Sequence, residues 1–380
     1  MSPLFLRTLL FFCITLTLSA PDTRSQSAAE AGGDSLDVKL GQMLMVGFRG
    51  ITASPGSPIM NDIERLHLGG VILFDFDVEQ KKYGRNIVSP QQLRYLTEAL
   101  KEQAALPLLV AVDQEGGLVA RLKQKAGFPR NVSQADLGEM DNDDSTLYYA
   151  GVTARSLAVV GVNQNFAPVL DVNINKNNPV IGKLGRSFSS DPAIVAKHGA
   201  LMVRAHREAR VLTAVKHFPG HGSSRSDSHL GLVDVSDTWS RKELQPFQDL
   251  IRQGLCDMVM TAHIFNSKLD PDWPATLSQK TITGLLRGEM KFDGVVISDD
   301  MNMKAISDHY GLETAVRQAV NAGVDILLFG NNGYEFVPDL PSRAHAALKA
   351  LVLKGDIPRE RIEQSYARIM ELKKRLKPAP

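Results

Sequence analysis

The run Lys216-His217-Phe218-Pro219-Gly220-His221-Gly222, followed by Asp227-Ser228-His229, packs one Lys, three His and one Asp into fourteen residues. Two Gly and a Pro punctuate the backbone between them. So many titratable groups on such a loop suit a reacting centre better than a packing surface. An imidazole gives and recovers a proton around neutral pH, which makes His229 the candidate general acid/base. Asp227, two residues earlier, is spaced to accept the other ring N–H and so to fix its tautomer. Further along, the apolar run Val295-Val296-Ile297 stops on Ser298-Asp299-Asp300. A carboxylate at a strand end is held rigidly, as nucleophilic attack requires, so Asp299 is the candidate nucleophile. Asp300 is equally suited to capping a helix that would start near Met301-Asn302-Met303-Lys304. His217, His221, Asp227 and His229 are also metal-ligand types. Lys216 beside His217 would repel a cation, and the spacing matches no standard zinc motif, so neither a metal nor a cofactor is expected.

These residues need a frame, and the rest of the chain offers one. Short apolar runs recur at 43–46, 71–74, 108–112, 166–170, 212–215, 258–261, 295–297 and 326–329, separated by stretches of helical character. The runs are continuous, not alternating, as expected of strands buried on both faces in a parallel sheet. Between them, Pro90–Leu100 reads as a helix, and so does the stretch after Asp191, with Asp191 as N-cap and Pro192 at the first helical position. Eight strands alternating with helices predict a single (β/α)8 barrel, with a doubly wound sheet as the alternative. In a barrel, polar side chains gather at the C-terminal strand ends. Just past the runs stand Asp75, Asp113, Asp171, Lys216 with His217, His263, and Asp299 with Asp300. The tail from Pro341 to Leu376 reads as two amphipathic helices broken by Gly355-Asp356-Ile357-Pro358, expected to close the barrel exterior.

Composition narrows the field. The chain has 380 residues, 43% hydrophobic and 22% charged, in the range of a soluble globular protein. Its 43 basic and 42 acidic side chains leave a formal charge of +1, with no basic surplus to neutralise nucleic-acid phosphates. Near the start, Arg7 precedes the apolar stretch Leu9–Leu18 and then Ser19-Ala20. This reads as a secretory signal, too short for a comfortable membrane span, followed by a small, polar tether. Residues 1–34 are therefore assigned to signal and tether and residues 35–380 to one catalytic barrel, exported to the periplasm or beyond. Cys13 and Cys256 are the two cysteines. Removal of the signal would leave Cys256, which sits in an apolar stretch and is expected to be inert.

The His-rich run resembles the signature of β-N-acetylglucosaminidases of glycoside hydrolase family 3, the NagZ type. Asp113-Gln114-Glu115-Gly116-Gly117, Phe166-Ala167-Pro168-Val169-Leu170-Asp171, Gly185-Arg186-Ser187-Phe188, Met260-Thr261-Ala262-His263, Pro274-Ala275-Thr276-Leu277-Ser278 and Ser298-Asp299-Asp300-Met301 follow in the family's order. The resemblance implies a retaining exo-glycosidase that removes terminal β-linked N-acetylglucosamine through a covalent glycosyl-enzyme. Asp299 would be its nucleophile, and His229 with Asp227 an acid/base dyad in place of the more usual second carboxylate. Asp113, Arg121, Arg186, Lys216 and His217 would hold the sugar. Two departures stand out. Leu118 occupies the place where the family usually carries Arg after the Gly pair, and Lys183-Leu184-Gly185-Arg186 is closer to the family's β-glucosidase branch.

Three rival activities remain open at this level. A silent sugar-binding barrel would be expected to lack Asp299 or His229, and both are present. A β-glucosidase or broad β-hexosidase is distinguished by whether the rate depends on the acetamido group. A phosphorylase on the same site is possible in principle, because a His acid/base need not repel incoming phosphate. A carbohydrate substrate and a monomer are expected. Gly220 and Gly222 suggest a His loop that orders on binding.

Overall fold

A computed structural model of the chain describes residues 35–228 and 230–376. The expected signal and tether lie outside the described residues. Eight strands, β1 (Leu44–Gly47), β2 (Gly70–Ile72), β3 (Leu109–Val112), β4 (Gln164–Asn165), β5 (Leu212–Phe218), β6 (Met258–Thr261), β7 (Val295–Ile297) and β8 (Leu327–Phe329), form one sheet. They pair in parallel in chain order, with β8 beside β1. A parallel bridge from Ile297 to Ile326 closes the circle between β7 and β8. The (β/α)8 barrel expected from the apolar runs is the fold. Every residue of all eight strands is buried. Helices cover the outside and side chains fill the inside, so neither face demands a polar residue and the runs do not alternate.

Two strands depart from the apolar pattern. The fourth is Gln164–Asn165, ahead of the expected run Phe166–Leu170. Pro168, with no N–H to donate, interrupts the ladder there, and pairing resumes only as the single bridge from Val169 to Lys216. Strand β5 runs on through Lys216, His217 and Phe218, past the expected end at Val215. Its register against β6 shifts between Val215 and Phe218. Polar side chains at Lys216 and His217 hid this extension, because they are buried for their contacts and not for their hydrophobicity.

The helices follow their local signals. Pro90–Gln103 starts where Ser89 accepts from the N–H of Gln92, and it buries Leu93, Leu96 and Leu100. Pro192–Glu208 starts at Asp191, whose carboxylate accepts from the N–H of Ala193. The last two helices, Leu340–Lys354 and Arg359–Lys374, pack on the barrel exterior beside the first helix, Leu36–Gln42. Gly355, at φ 82°, ends the first of the two in a left-handed cap. Cys256 packs partly buried against the core, and burial raises its thiol pKa, which keeps it protonated and unreactive. Among the described residues no helix is long and apolar enough to cross a membrane.

Candidate active site

At the C-terminal strand ends lies a cavity of about 590 Å³. Asp113, Arg121, Arg186, Lys216, His217, Asp227 and Asp299 all line it. The remaining candidate, His229, lies outside the described residues. Phe74, Phe166, Val180, Met260 and Leu328 supply apolar wall. This mixture of apolar wall and convergent polar groups is what a sugar needs, since its hydroxyls lie around a ring with apolar C–H faces.

One side of the cavity is a charged network built from β3 and β5. Asp113 follows β3 directly, and the next residue, Gln114, pins the loop that returns to Arg121. Gln114 Oε1 accepts from the N–H groups of Arg121 (2.8 Å) and Leu122 (2.9 Å). Gly116, at φ 107°, makes the turn, and a Cβ there would sit 2.1 Å from the carbonyl oxygen of Val132. Asp113 then meets two cations, Lys216 Nζ at 2.7 Å and Arg121 Nη2 at 3.1 Å. Lys216 also meets Glu115 at 2.7 Å. Glu115 in turn takes a two-pronged bond from Arg186, at 2.7 and 2.8 Å. Burial opposes ionisation of both acids, but Lys216, Arg121 and Arg186 outweigh it for Asp113, and Arg186 with Lys216 for Glu115. Both carboxyl pKa values lie below the ordinary range. Both carboxylates therefore stay ionised at neutral and mildly acidic pH.

His217 is held from two sides. Its Nδ1–H donates to Asp171 Oδ2 at 2.6 Å, and Arg186 Nη2 donates to its Nε2 at 3.1 Å. The Arg186 donor at Nε2 and the Asp171 acceptor at Nδ1 together fix the orientation of the ring. Successive residues of a regular strand point to opposite faces, yet Lys216 and His217 both line the cavity. The register shift in β5 is what re-aims them. Asp171 also accepts the N–H groups of His221 (2.7 Å) and His217 (3.3 Å). Burial disfavours its charge, but the His217 imidazole and these hydrogen bonds prevail and lower its pKa.

The opposite side belongs to β7 and β8. Asp299 Oδ1 accepts the N–H of Asp300 at 2.8 Å, which fixes the carboxylate against its own backbone. Asp300 does not cap the next helix, Lys304–Ser307, whose N-cap is Met303. Its Oδ1 instead accepts from Gly330 (2.8 Å) and Asn302 (3.0 Å), tying the end of β7 to the end of β8. His263, beyond β6, bonds Thr276 Oγ1 through Nδ1 at 2.8 Å and donates from Nε2 to the carbonyl of Asp300 at 3.0 Å. Asp299 thus sits on a braced strand end.

Glu115 was not singled out by its sequence context, and Asp171 was marked by its strand-end position but given no role. Each acts by orienting another group, Glu115 on Arg186 and Lys216, Asp171 on His217 and His221. Glu115 is seventy-one positions from Arg186, and only the fold joins them. Of the two departures, Leu118 is 71% exposed at the loop tip, and its neighbour Val119 lines the cavity in its place. The looser sequence around Arg186 still delivers that side chain, anchored through Nη1 on the carbonyl of Val180 at 2.9 Å.

The profile of the Glycosyl hydrolase family 3 N terminal domain matches residues 35–372. Beta-hexosaminidase A of Pseudoalteromonas piscicida is 36% identical over 373 residues, covering 89% of this chain and 60% of that protein. Beta-hexosaminidase LpqI of Mycobacterium tuberculosis is 34% identical over 346 residues, covering 88% of this chain and 82% of its own length. Among solved structures, a glycoside hydrolase family 3 beta-N-acetylglucosaminidase from Paenibacillus superposes with a TM-score of 0.82 at 38% identity, over 91% of this chain and 64% of that one. The chain thus spans less than two thirds of the first of these relatives and of the Paenibacillus enzyme. Fold, strand-end chemistry and sequence agree, and the chain belongs to glycosyl hydrolase family 3 through that family's N terminal domain.

Proposed function

We propose that the protein is a retaining exo-β-N-acetylglucosaminidase, a β-N-acetylhexosaminidase that works through a covalent glycosyl-enzyme. The observation that carries this reading is the placement of Asp299, on a braced strand end, in one cavity with Asp227 and the Asp113–Lys216–Glu115–Arg186–His217 network. Asp299 attacks the anomeric carbon, forming its bond to the sugar as the glycosidic C–O bond breaks. His229, oriented by Asp227, gives its proton to the departing oxygen. It then takes a proton from water as the glycosyl-enzyme is hydrolysed, and Asp299 is released.

The charged network is the sugar-holding side. Its ionised partners, already fixed by each other, offer strong acceptors and donors to ring hydroxyls and the acetamido group at little cost in ordering. Sugars without a matching group would leave buried polar atoms unpaired and be rejected. Its relatives' names as beta-hexosaminidases support the acetamido sugar over glucose. Export through the segment 1–34, with the barrel at 35–380 acting outside the inner membrane on cell-wall, chitin-derived or glycan-derived sugars, completes the proposal.

The test is the initial rate on an aryl β-N-acetylglucosaminide beside the matching β-glucoside, for wild type and Asp299→Asn. Turnover of the acetamido sugar alone, lost in the variant, is expected. Equal turnover of both sugars would move the reading to a broad β-hexosidase, and turnover of neither would remove it.

A further inference from the structure

One buried acid beside the site has no part in the chemistry described so far. Glu243 lies in the short turn Arg241–Leu244, ahead of the helix Gln245–Arg252, and is fully buried. Its Oε2 accepts the backbone N–H groups of Gly222 at 3.0 Å and Ser223 at 3.2 Å. The approach is close enough to exclude any side chain opposite. Gly220 stands at φ 117°, and a Cβ there would lie 2.6 Å from Glu243 Cβ. On its other side the segment rests on the backbone after β4, where a Cβ on Gly222 would lie 1.7 Å from the carbonyl oxygen of Val172. These two glycines are explained by close approach. Trp239, from the same connection as Glu243, donates its indole N–H to the carbonyl of Pro219 at 3.0 Å.

From this clamped base the chain runs toward the cavity, and a second device spans it. His221 is buried, which lowers its pKa to about 4 and keeps it neutral. Its Nδ1 bonds Ser224 Oγ at 2.6 Å and its Nε2 bonds Ser228 Oγ at 3.1 Å. Ser228 follows Asp227, which lines the cavity. The clamp and the bridge together connect Glu243 to the carboxylate that is to orient the acid/base.

A carboxylate is an expensive choice for this position. Burial, with the charge of Asp171 nearby, pushes the Glu243 carboxyl up to about 7. An apolar side chain would avoid that cost but would leave two buried N–H groups without their acceptor. We propose that Glu243 is a positioning residue for the acid/base loop: it fixes Gly222 and Ser223, and through the His221–Ser228 bridge it sets Asp227 against the cavity. This rests on the reading of Asp227 and His229 as the acid/base pair.

The experiment compares kcat/KM, which reports formation of the glycosyl-enzyme, on phenyl and 2,4-dinitrophenyl β-N-acetylglucosaminides. The first leaving group needs a proton and the second does not. In Glu243→Ala the phenyl glycoside is expected to lose about 10- to 100-fold, part of the ~10²–10⁴ that a placed general acid contributes, and the dinitrophenyl glycoside less than about threefold. Glu243→Gln, which keeps one acceptor oxygen of the same reach, is expected to restore the phenyl rate to within a few fold. If Glu243→Ala does not fold, Glu243→Asp, with the charge kept and the reach shortened, is expected to show the same selective loss. Equal losses on both glycosides, or none on either, would overturn the role given to Glu243 while leaving the glycosidase reading in place. A wild type inactive on both would overturn the glycosidase reading, and this role with it.

Discussion

Buried carboxylates stand at both ends of this barrel, and what they face separates them. At the N-terminal end Asp257 precedes β6 and Asp325 stands two residues before β8, each with a fully buried side chain. Asp257 takes Arg207 and Arg375 at 2.7 Å and the hydroxyl of Thr213 at 3.0 Å. Asp325 takes Arg287 at 2.7 Å, Arg361 at 2.6 Å and Arg368 at 3.5 Å. These arginines come from the surrounding helices, so the acids staple helix to strand. At the C-terminal end Asp113, Glu115 and Asp171 use the same charged hydrogen bonds, but their partners Lys216, Arg186 and His217 line a cavity. Chemistry alone does not distinguish the two sets. The strand end on which each acid sits does.

If the division holds, substitutions at the two ends should fail in different measurements. The largest effect is expected for Asp299→Asn, a drop in kcat on the order of 10³-fold or more with the unfolding midpoint little changed. A matching loss of thermal stability would mean that the carboxylate props the strand end instead. Next, Asp325→Ala leaves three guanidinium groups around an emptied position. It is expected to cost about 3–5 kcal/mol in denaturant unfolding, with kcat and KM of the folded fraction near wild type. A selective KM change in that variant would erase the contrast between the ends. Smaller still is Asp113→Asn. Loss of charged hydrogen bonds, each about 1.5–3 kcal/mol, predicts a 10- to 100-fold fall in kcat/KM, mostly through KM, because Lys216 keeps Glu115 as a partner.

What the sequence made legible follows the same line. Apolar runs revealed eight strands because the strands are buried on both faces, and the Asp191 cap marked a helix start because it acts on an N–H two residues on. Lys216 and Asp299 stood out by type and strand-end position, and Asp227 by its place two residues before His229. Glu115 and Glu243 did not, and Asp171 stood out by position without a role, since each works by holding a group tens of residues away or by bonding a backbone N–H, and neither leaves a local pattern. The true end of β5 was hidden for a related reason: its last polar residues are buried by ion pairs that only the closed barrel supplies. The arginines of the N-terminal end were equally silent, looking like the charged face of any outer helix.

The last prediction tests the N-terminal end alone. Lys373, in the last helix, is fully buried, where its Nζ donates to Gln42 Oε1 at 2.6 Å and to the carbonyl of Gly69, just before β2, at 2.8 Å. Burial lowers its pKa from 10.5 to about 7. Between these two values the unfolded chain binds the proton and the folded chain does not, so stability should rise with pH across that window. Below about 7 both states are protonated and this group adds no slope. The expected contribution is at most about 1.4 kcal/mol per pH unit. Lys373→Met should flatten the rise between pH 7 and 10 in denaturant titrations while leaving the pH profile of kcat unchanged. Equal slopes in the two proteins would show that the amine is charged where it lies. A shifted kcat profile would be the more damaging result, because it would tie the far end of the barrel to the chemistry that the strand-end rule keeps apart.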